Sequence, residues 1–177
     1  MKNLLSVAGA LLLFGCSSSV NIRNSDILDR SFPQVRGQSL EGKATVLPDD
    51  FLGKNTVLLI GYEMKTQFDI DRWILGLLQA DVPVQIVEVP TIAGMMPQMV
   101  QRFIDSGMRS GIPKKEWASV VTVYEDAEKI IYALGNSNPR SAYVVLLDGA
   151  GKIRWFSEQG YSAGQVLELK QLVSDLG

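Results

Sequence analysis

The run Thr56-Val57-Leu58-Leu59-Ile60-Gly61-Tyr62 constrains this chain more than any other stretch. It carries no charge, is rich in β-branched residues and shows no alternation of polar and apolar positions. Such a run fits a strand covered on both faces, because a strand with one wet face would alternate. Cover has to come from helices, and the sequence after it supplies one. From residue 69 the apolar positions Ile70, Trp73, Ile74, Leu77 and Leu78 fall on one helical face, with Asp69 placed to cap and Asp71 in the first turn. Strand character returns over 82–89.

The rest of the chain continues the alternation. A second helix is expected over 96–108, with Pro97 in its first turn and Met96, Met99, Val100 and Phe103 sharing a core-facing side. A short strand over 119–123 precedes a helix capped by Asp126, with Ala127, Ile130, Ile131 and Leu134 inward and Gly135 as its stop. Ala142-Tyr143-Val144-Val145-Leu146-Leu147 is a second buried strand. Asp148-Gly149-Ala150-Gly151 turns it into Lys152-Ile153-Arg154-Trp155-Phe156, and a last helix covers about 163–176. Upstream, the Glu41-Gly42 pair between Phe32–Gly37 and the run 43–47 signals a hairpin. Strands and helices in this order make an α/β domain around a mixed sheet. The order resembles the thioredoxin fold with an added N-terminal β-hairpin, as in peroxiredoxin-like members, over residues 32–176. A flavodoxin-like sheet is the alternative, which the 142–156 hairpin fits poorly.

The N-terminus reads differently. Lys2 precedes the apolar run 4–14, and Gly15-Cys16 is followed by Ser17-Ser18-Ser19. About eleven apolar residues span roughly half of a ~30 Å hydrocarbon core, so this is a secretory signal and not a membrane span. It resembles a bacterial lipoprotein signal, in which the chain is cut before the cysteine and acyl chains are attached there. That resemblance implies a signal peptide over 1–15, lipid on Cys16, a flexible tether over 16–30 and a folded domain over 31–177. More than one buried acyl chain would hold the mature protein to a membrane. Ser17, where an aspartate commonly retains such proteins at the inner membrane, implies the outer membrane and a domain facing the periplasm.

Cys16 is the chain's one cysteine, and there is no histidine. With lipid on Cys16, the domain has no thiol for disulfide exchange, no Cys/His zinc set and no histidine-dependent catalytic relay. No cofactor motif is present. The net charge of −2 moves to about −3 without Lys2, which gives no field for nucleic acid. Carboxylates, Lys, Arg, Tyr, Ser and Thr remain for chemistry, so the leading expectation is a protein-binding module with an unidentified protein partner. The alternative is an extracytoplasmic enzyme of thioredoxin or peroxiredoxin ancestry that uses these non-thiol residues.

In redox-active thioredoxin-like proteins a Cys-x-x-Cys pair follows the first central strand, and a cis-proline precedes the later one. Here the first segment is Tyr62-Glu63-Met64-Lys65-Thr66-Gln67-Phe68-Asp69, and Ala142 stands where the proline would. A more specific resemblance rests on an ordered set. Phe32-Pro33 and Gly37 come first, then Gly107-Met108-Arg109-Ser110-Gly111-Ile112-Pro113 and Ala133-Leu134-Gly135-Asn136. Tyr143-Val144-Val145-Leu146-Leu147-Asp148 and Gly151-Lys152-Ile153-Arg154-Trp155 complete it. Together these are similar to the thioredoxin-like mitochondrial assembly factor of the F-type ATP synthase. That family is described as a chaperone for the synthase's membrane-embedded a subunit, without redox activity. A lipoprotein outside the cytoplasmic membrane departs from that location.

The expected binding edge combines Tyr62, Glu63 and Asp69 at the strand-to-helix corner with Arg109, Asn136 and Arg140 on neighbouring loops and helix ends. Helix capping and solvated loop positions are the plainer reading of the same charges. Met96 and Met99 are expected in the core, whereas Met64 and Met95 are expected at the surface near that edge.

Overall fold

The computed structural model describes residues 26–176. The hairpin forms as expected. Strands β1 (Val35–Ser39) and β2 (Ala44–Leu47) pair antiparallel, and Gly42 at φ +90° provides the left-handed residue of the turn. Gly37 serves close packing instead. A Cβ there would lie 2.7 Å from Val121 Cγ1 and 2.9 Å from the Thr122 carbonyl oxygen, so β1 can approach β5 (Val121–Thr122) only because this residue is glycine. These three strands form one sheet in the order β2-β1-β5.

The main sheet is built on β3 (Thr56–Gly61), the doubly covered strand of the sequence pattern. It pairs parallel with β4 (Gln85–Pro90) and antiparallel with β6 (Tyr143–Leu147), and β6 pairs antiparallel with β7 (Ile153–Ser157). Isolated bridges Glu88↔Val120 and Thr91↔Val123 bring the two sheets edge to edge. The side-chain period of two then divides the core. Val57 and Leu59 of β3 face helices α1 (Gln67–Gln79) and α4 (Ala163–Leu176), whose Ile70, Trp73, Leu77, Val166, Leu169 and Val173 close that side. Leu58 and Ile60 face the opposite way, onto Ala127, Ile130 and Leu134 of α3 (Ala127–Leu134) and onto the hairpin. This is a mixed sheet flanked by helices with an N-terminal hairpin.

Five details correct the sequence reading. Residues 26–30 are packed, not tether. Ile27 is buried, Asp29 N–H donates to the Ile153 carbonyl at 2.8 Å, and Ile153 N–H donates back to Arg30 at 2.9 Å. Cys16 and residues 17–25 lie outside the described residues. Asp69 does not cap α1, which begins two residues earlier. Asp126 holds the N-cap position of α3 but makes no cap hydrogen bond. Its buried carboxylate accepts the Arg36 backbone N–H at 2.8 Å, the Arg36 guanidinium at 3.2 Å and Lys129 at 3.0 Å. Those donors hold its pKa well below the usual carboxylate range. Leu78, expected inward, is 64% exposed.

The fifth correction concerns α2 (Gln98–Gly111). Met99 and Phe103, expected in the core, are 82% and 80% exposed, Val100 is exposed beside them, and Met96 is half-buried. The buried position of this helix is Asp105, whose carboxylate accepts the Tyr124 hydroxyl at 2.9 Å. Helix α2 is therefore held by polar ties, with its apolar stripe turned outward.

Candidate functional site

The corner between β3 and α1 is the natural place for a site on this scaffold, since a helix N-terminus and several loops meet there. Residues Met64–Thr66 form one 3-10 turn, with Glu63 at its N-cap. The buried Thr66 organises the corner. Its hydroxyl accepts the Glu63 N–H at 3.4 Å and donates to the Pro139 carbonyl at 2.9 Å. That second bond ties the 136–141 loop to the start of α1.

Asp69 makes the other tie. One carboxylate oxygen accepts the Ala142 N–H at 2.8 Å, and the other accepts the Tyr161 N–H at 2.8 Å. A proline at 142 would have no N–H to give, so this bond depends on the residue that replaces the fold's usual proline. Asp69 thus fastens the entry to β6 and the loop before α4 to α1. The aromatic pair Tyr62–Tyr143 packs edge-on at 4.9 Å. Burial pushes the Tyr62 phenol far above its ordinary pKa, helped by Tyr143 and the Glu158 carboxylate. The Tyr143 hydroxyl accepts the Asn138 N–H at 3.0 Å, which fixes the same loop from below.

The structure therefore brings together five of the six expected edge residues. Tyr62, Glu63 and Asp69 sit at the corner, while Asn136 and Arg140 lie in the loop fastened to it. Asn136 is half-buried, and Glu63 and Arg140 are exposed. Arg109 is committed elsewhere. Its Nε donates to the Leu40 carbonyl at 2.7 Å and its guanidinium lies 5.9 Å from the Trp117 ring centroid, which anchors the end of α2 to the hairpin. The expected exposure of Met64 and Met95 is observed, and Phe68 joins them at 73%.

Sequence reasoning missed a groove of about 520 Å³ beside α1. Its walls are Ile74 and Leu78 of α1 and Ile112 and Pro113 after α2, with Val84, Ile86 and Glu88 along its floor. Val87 and Val89 point into the other side of the core, so strand alternation alone sends Glu88 into the groove. Glu88 is 6% exposed. Burial raises its carboxyl from 4.5 to about 7; a hydrogen bond from Gln67 opposes the rise and the Asp71 charge adds to it. Gln67 also donates to Asp71 at 3.0 Å, so one amide serves both carboxyls. The available signal was a lone charge in Ile86-Val87-Glu88-Val89, an otherwise apolar strand next to the central one.

Chemically, this is a thioredoxin-like fold whose strand-to-helix corner has Met64, Thr66 and Gln67 where thiol chemistry would need cysteine. Among the described residues no group of three acidic, Cys or His side chains is arranged to hold a metal, and no helix is long and apolar enough to cross a membrane. The solved structures it resembles share the fold at low identity. The thioredoxin domain of a thiol-disulfide oxidoreductase from Bacteroides vulgatus has a TM-score of 0.54 at 16% identity, over 86% of this chain and 99% of that one. The exposed lipoprotein thioredoxin Etrx1 of Streptococcus pneumoniae scores 0.53 at 12%, over 81% and 100%. Copper-bound yeast Sco1 scores 0.55 at 12%, over 81% and 92%. No curated protein matches the chain in sequence.

The family is more specific than the fold. The ATP10 protein family matches residues 29–175, and the chain belongs to it. It is a thioredoxin-like assembly-factor module.

Proposed function

We propose that this protein is a lipid-anchored, redox-inactive assembly factor of a bacterial cell envelope, which binds a protein client through the α1 corner and the groove beside it. The carrying observation is that the corner keeps the scaffold's loop architecture, tied by Thr66 and Asp69, while offering no thiol. Exchange needs an attacking thiolate. What the corner does offer is exposed apolar area at Met64 and Phe68 beside a groove large enough for several side chains. The anchor is Cys16, and the outer membrane facing the periplasm is the proposed location. The family resemblance makes a membrane-embedded subunit the class of client.

The test is capture in cells. A photo-crosslinking residue at position 64 is expected to trap a membrane protein, and one at Tyr132, which is exposed on α3, is not. Charge reversal at Glu63 or Arg140 is expected to reduce recovery of that client without lowering the melting temperature. The same reversal at Arg109 is expected to act through α2 anchoring and lower both. Cys16→Ala is expected to release the protein from membranes or block its processing. Equal trapping at 64 and 132 would overturn the binding edge. Insulin reduction by the purified protein, above a heat-inactivated control, would overturn the redox-inactive assignment.

A further inference from the structure

The groove beside α1 has an unusual lining. Its walls are aliphatic, its floor holds a carboxyl that is almost wholly removed from solvent, and among the described residues no lysine or arginine lines it. Among the described residues, the titratable groups that line the groove with Glu88 are both acids. Asp71 faces it from α1, and Glu116 faces the groove from the 3-10 turn Lys114–Ser119. Gln67 supplies amide donors to the first two acids, whereas Glu116 is exposed and lies 3.6 Å from its exposed neighbour Lys115. Burying a carboxyl without a cation is costly, and an aliphatic strand position would normally be filled by an aliphatic residue. An occupant that brings a positive charge between apolar side chains would relieve that cost while covering Leu78 and Ile112.

We propose that the groove binds a client segment in which one lysine or arginine lies between apolar residues, the cation meeting Glu88 and Asp71 and the flanking side chains meeting Ile74, Leu78 and Ile112. This rests on the reading of the domain as a client-binding module and names the chemistry of the segment it takes. The volume suits one long basic side chain with apolar neighbours. The charge pattern makes the cation the element of specificity, because the same aliphatic walls would accept any apolar residue. Proton linkage follows. A bound cation favours the ionised Glu88, so affinity rises with pH as that carboxyl, near 7 in the free protein, gives up its proton.

The experiment uses the purified full-length chain and blocked nine-residue peptides with a central lysine among leucines, or with norleucine or glutamate in its place. Fluorescence anisotropy at pH 8 is expected to show the lysine peptide binding at least tenfold more tightly than the norleucine peptide, and the glutamate peptide not binding. Lowering the pH to 6 is expected to weaken the lysine peptide about tenfold and leave the norleucine peptide unchanged. Glu88→Gln, which keeps the shape of the side chain, is expected to bring the two within twofold at both pH values. Asp71→Asn, on the helix surface, is expected to narrow the gap partly. Equal binding of lysine and norleucine peptides by the unaltered chain overturns the proposal, as does full discrimination surviving when Glu88→Gln and Asp71→Asn are combined. Tighter binding of a peptide copying residues 17–26 of this chain, which contains Arg23, also overturns it and gives the groove to the chain's own segment. Self-association abolished by Glu88→Gln would give it to a second copy. Peptide preference without any cellular client leaves this inference standing and removes the assembly reading. A captured client with no lysine preference does the reverse.

Discussion

Helices α1 and α2 carry similar apolar spacing and meet opposite fates. Helix α1 buries Ile70, Trp73 and Leu77 under the sheet and α4. At Gly76 the approach of the loop before α4 is so close that a Cβ would lie 2.6 Å from the Tyr161 ring. Helix α2 contributes no residue to either core cluster and is held by Asp105–Tyr124 and by Arg109 on the Leu40 carbonyl. The lesson is that a helical stripe of Met and Phe records a wish for cover without saying what provides it. In α1 the cover is the chain's own sheet. In α2 the stripe is left over, on the helix whose last residue, Gly111, lines the groove.

Four measurements would break or sharpen this contrast. The largest effect is expected at Trp73, fully buried and edge-on to Trp155 at 6.0 Å and to Tyr161 at 5.7 Å. Trp73→Ala is expected to cost about 4 kcal/mol in urea unfolding, as for large core truncations. A loss below about 1 kcal/mol would mean that α1 is not the core helix.

Next comes Asp69, whose carboxylate receives two backbone N–H groups. Hydrogen bonds to a charged acceptor contribute about 1.5–3 kcal/mol each. Asp69→Ala is expected to destabilise by about 3 kcal/mol and to speed hydrogen exchange at Ala142 and Tyr161. A purely client-facing aspartate would do neither.

Glu88 is expected to show a pH-dependent effect of comparable or smaller size. Its folded pKa, about 7 against 4.5, means that the folded state holds a proton the unfolded state has already lost in between. Stability from this group is full below about 4.5 and declines as pH rises through 7, by up to about 3 kcal/mol. Glu88→Gln should flatten that decline and leave the protein more stable at pH 8. An unchanged slope would place the carboxyl in contact with water. Asp126 runs the other way: its depressed pKa supports stability above the ordinary carboxylate range, lost as the pH falls below it.

The smallest stability effect belongs to α2. Met99→Ser and Phe103→Ser are expected to change unfolding free energy by under about 0.5 kcal/mol, as exposed substitutions do. A loss above 2 kcal/mol from Phe103→Ser would show that the stripe is covered within the protein and would erase the contrast with α1.

Much of this architecture was legible in the chain itself. The uncharged run 56–62, the helical spacing of Ile70, Trp73 and Leu77, the turn residues at 148–151 and the hairpin glycine at 42 each act over a few neighbouring residues. Local geometry and burial therefore dictate them without knowledge of distant partners. The thiol-free character of the domain needed only a count of cysteines and a place for Cys16. What the tertiary structure alone decided is every assignment that depends on residues far apart in sequence. Asp69 looked like a helix cap and instead fastens positions 142 and 161. Arg109 looked like part of the corner and instead holds Leu40. Glu88 was one letter in a strand until α1 and the segment after α2 enclosed it, and the stripe of α2 was core by pattern but surface by position. Periodicity and propensity are properties of a short stretch of chain. Which face is dry, and which carboxylate is paired, depend on what the fold brings against them.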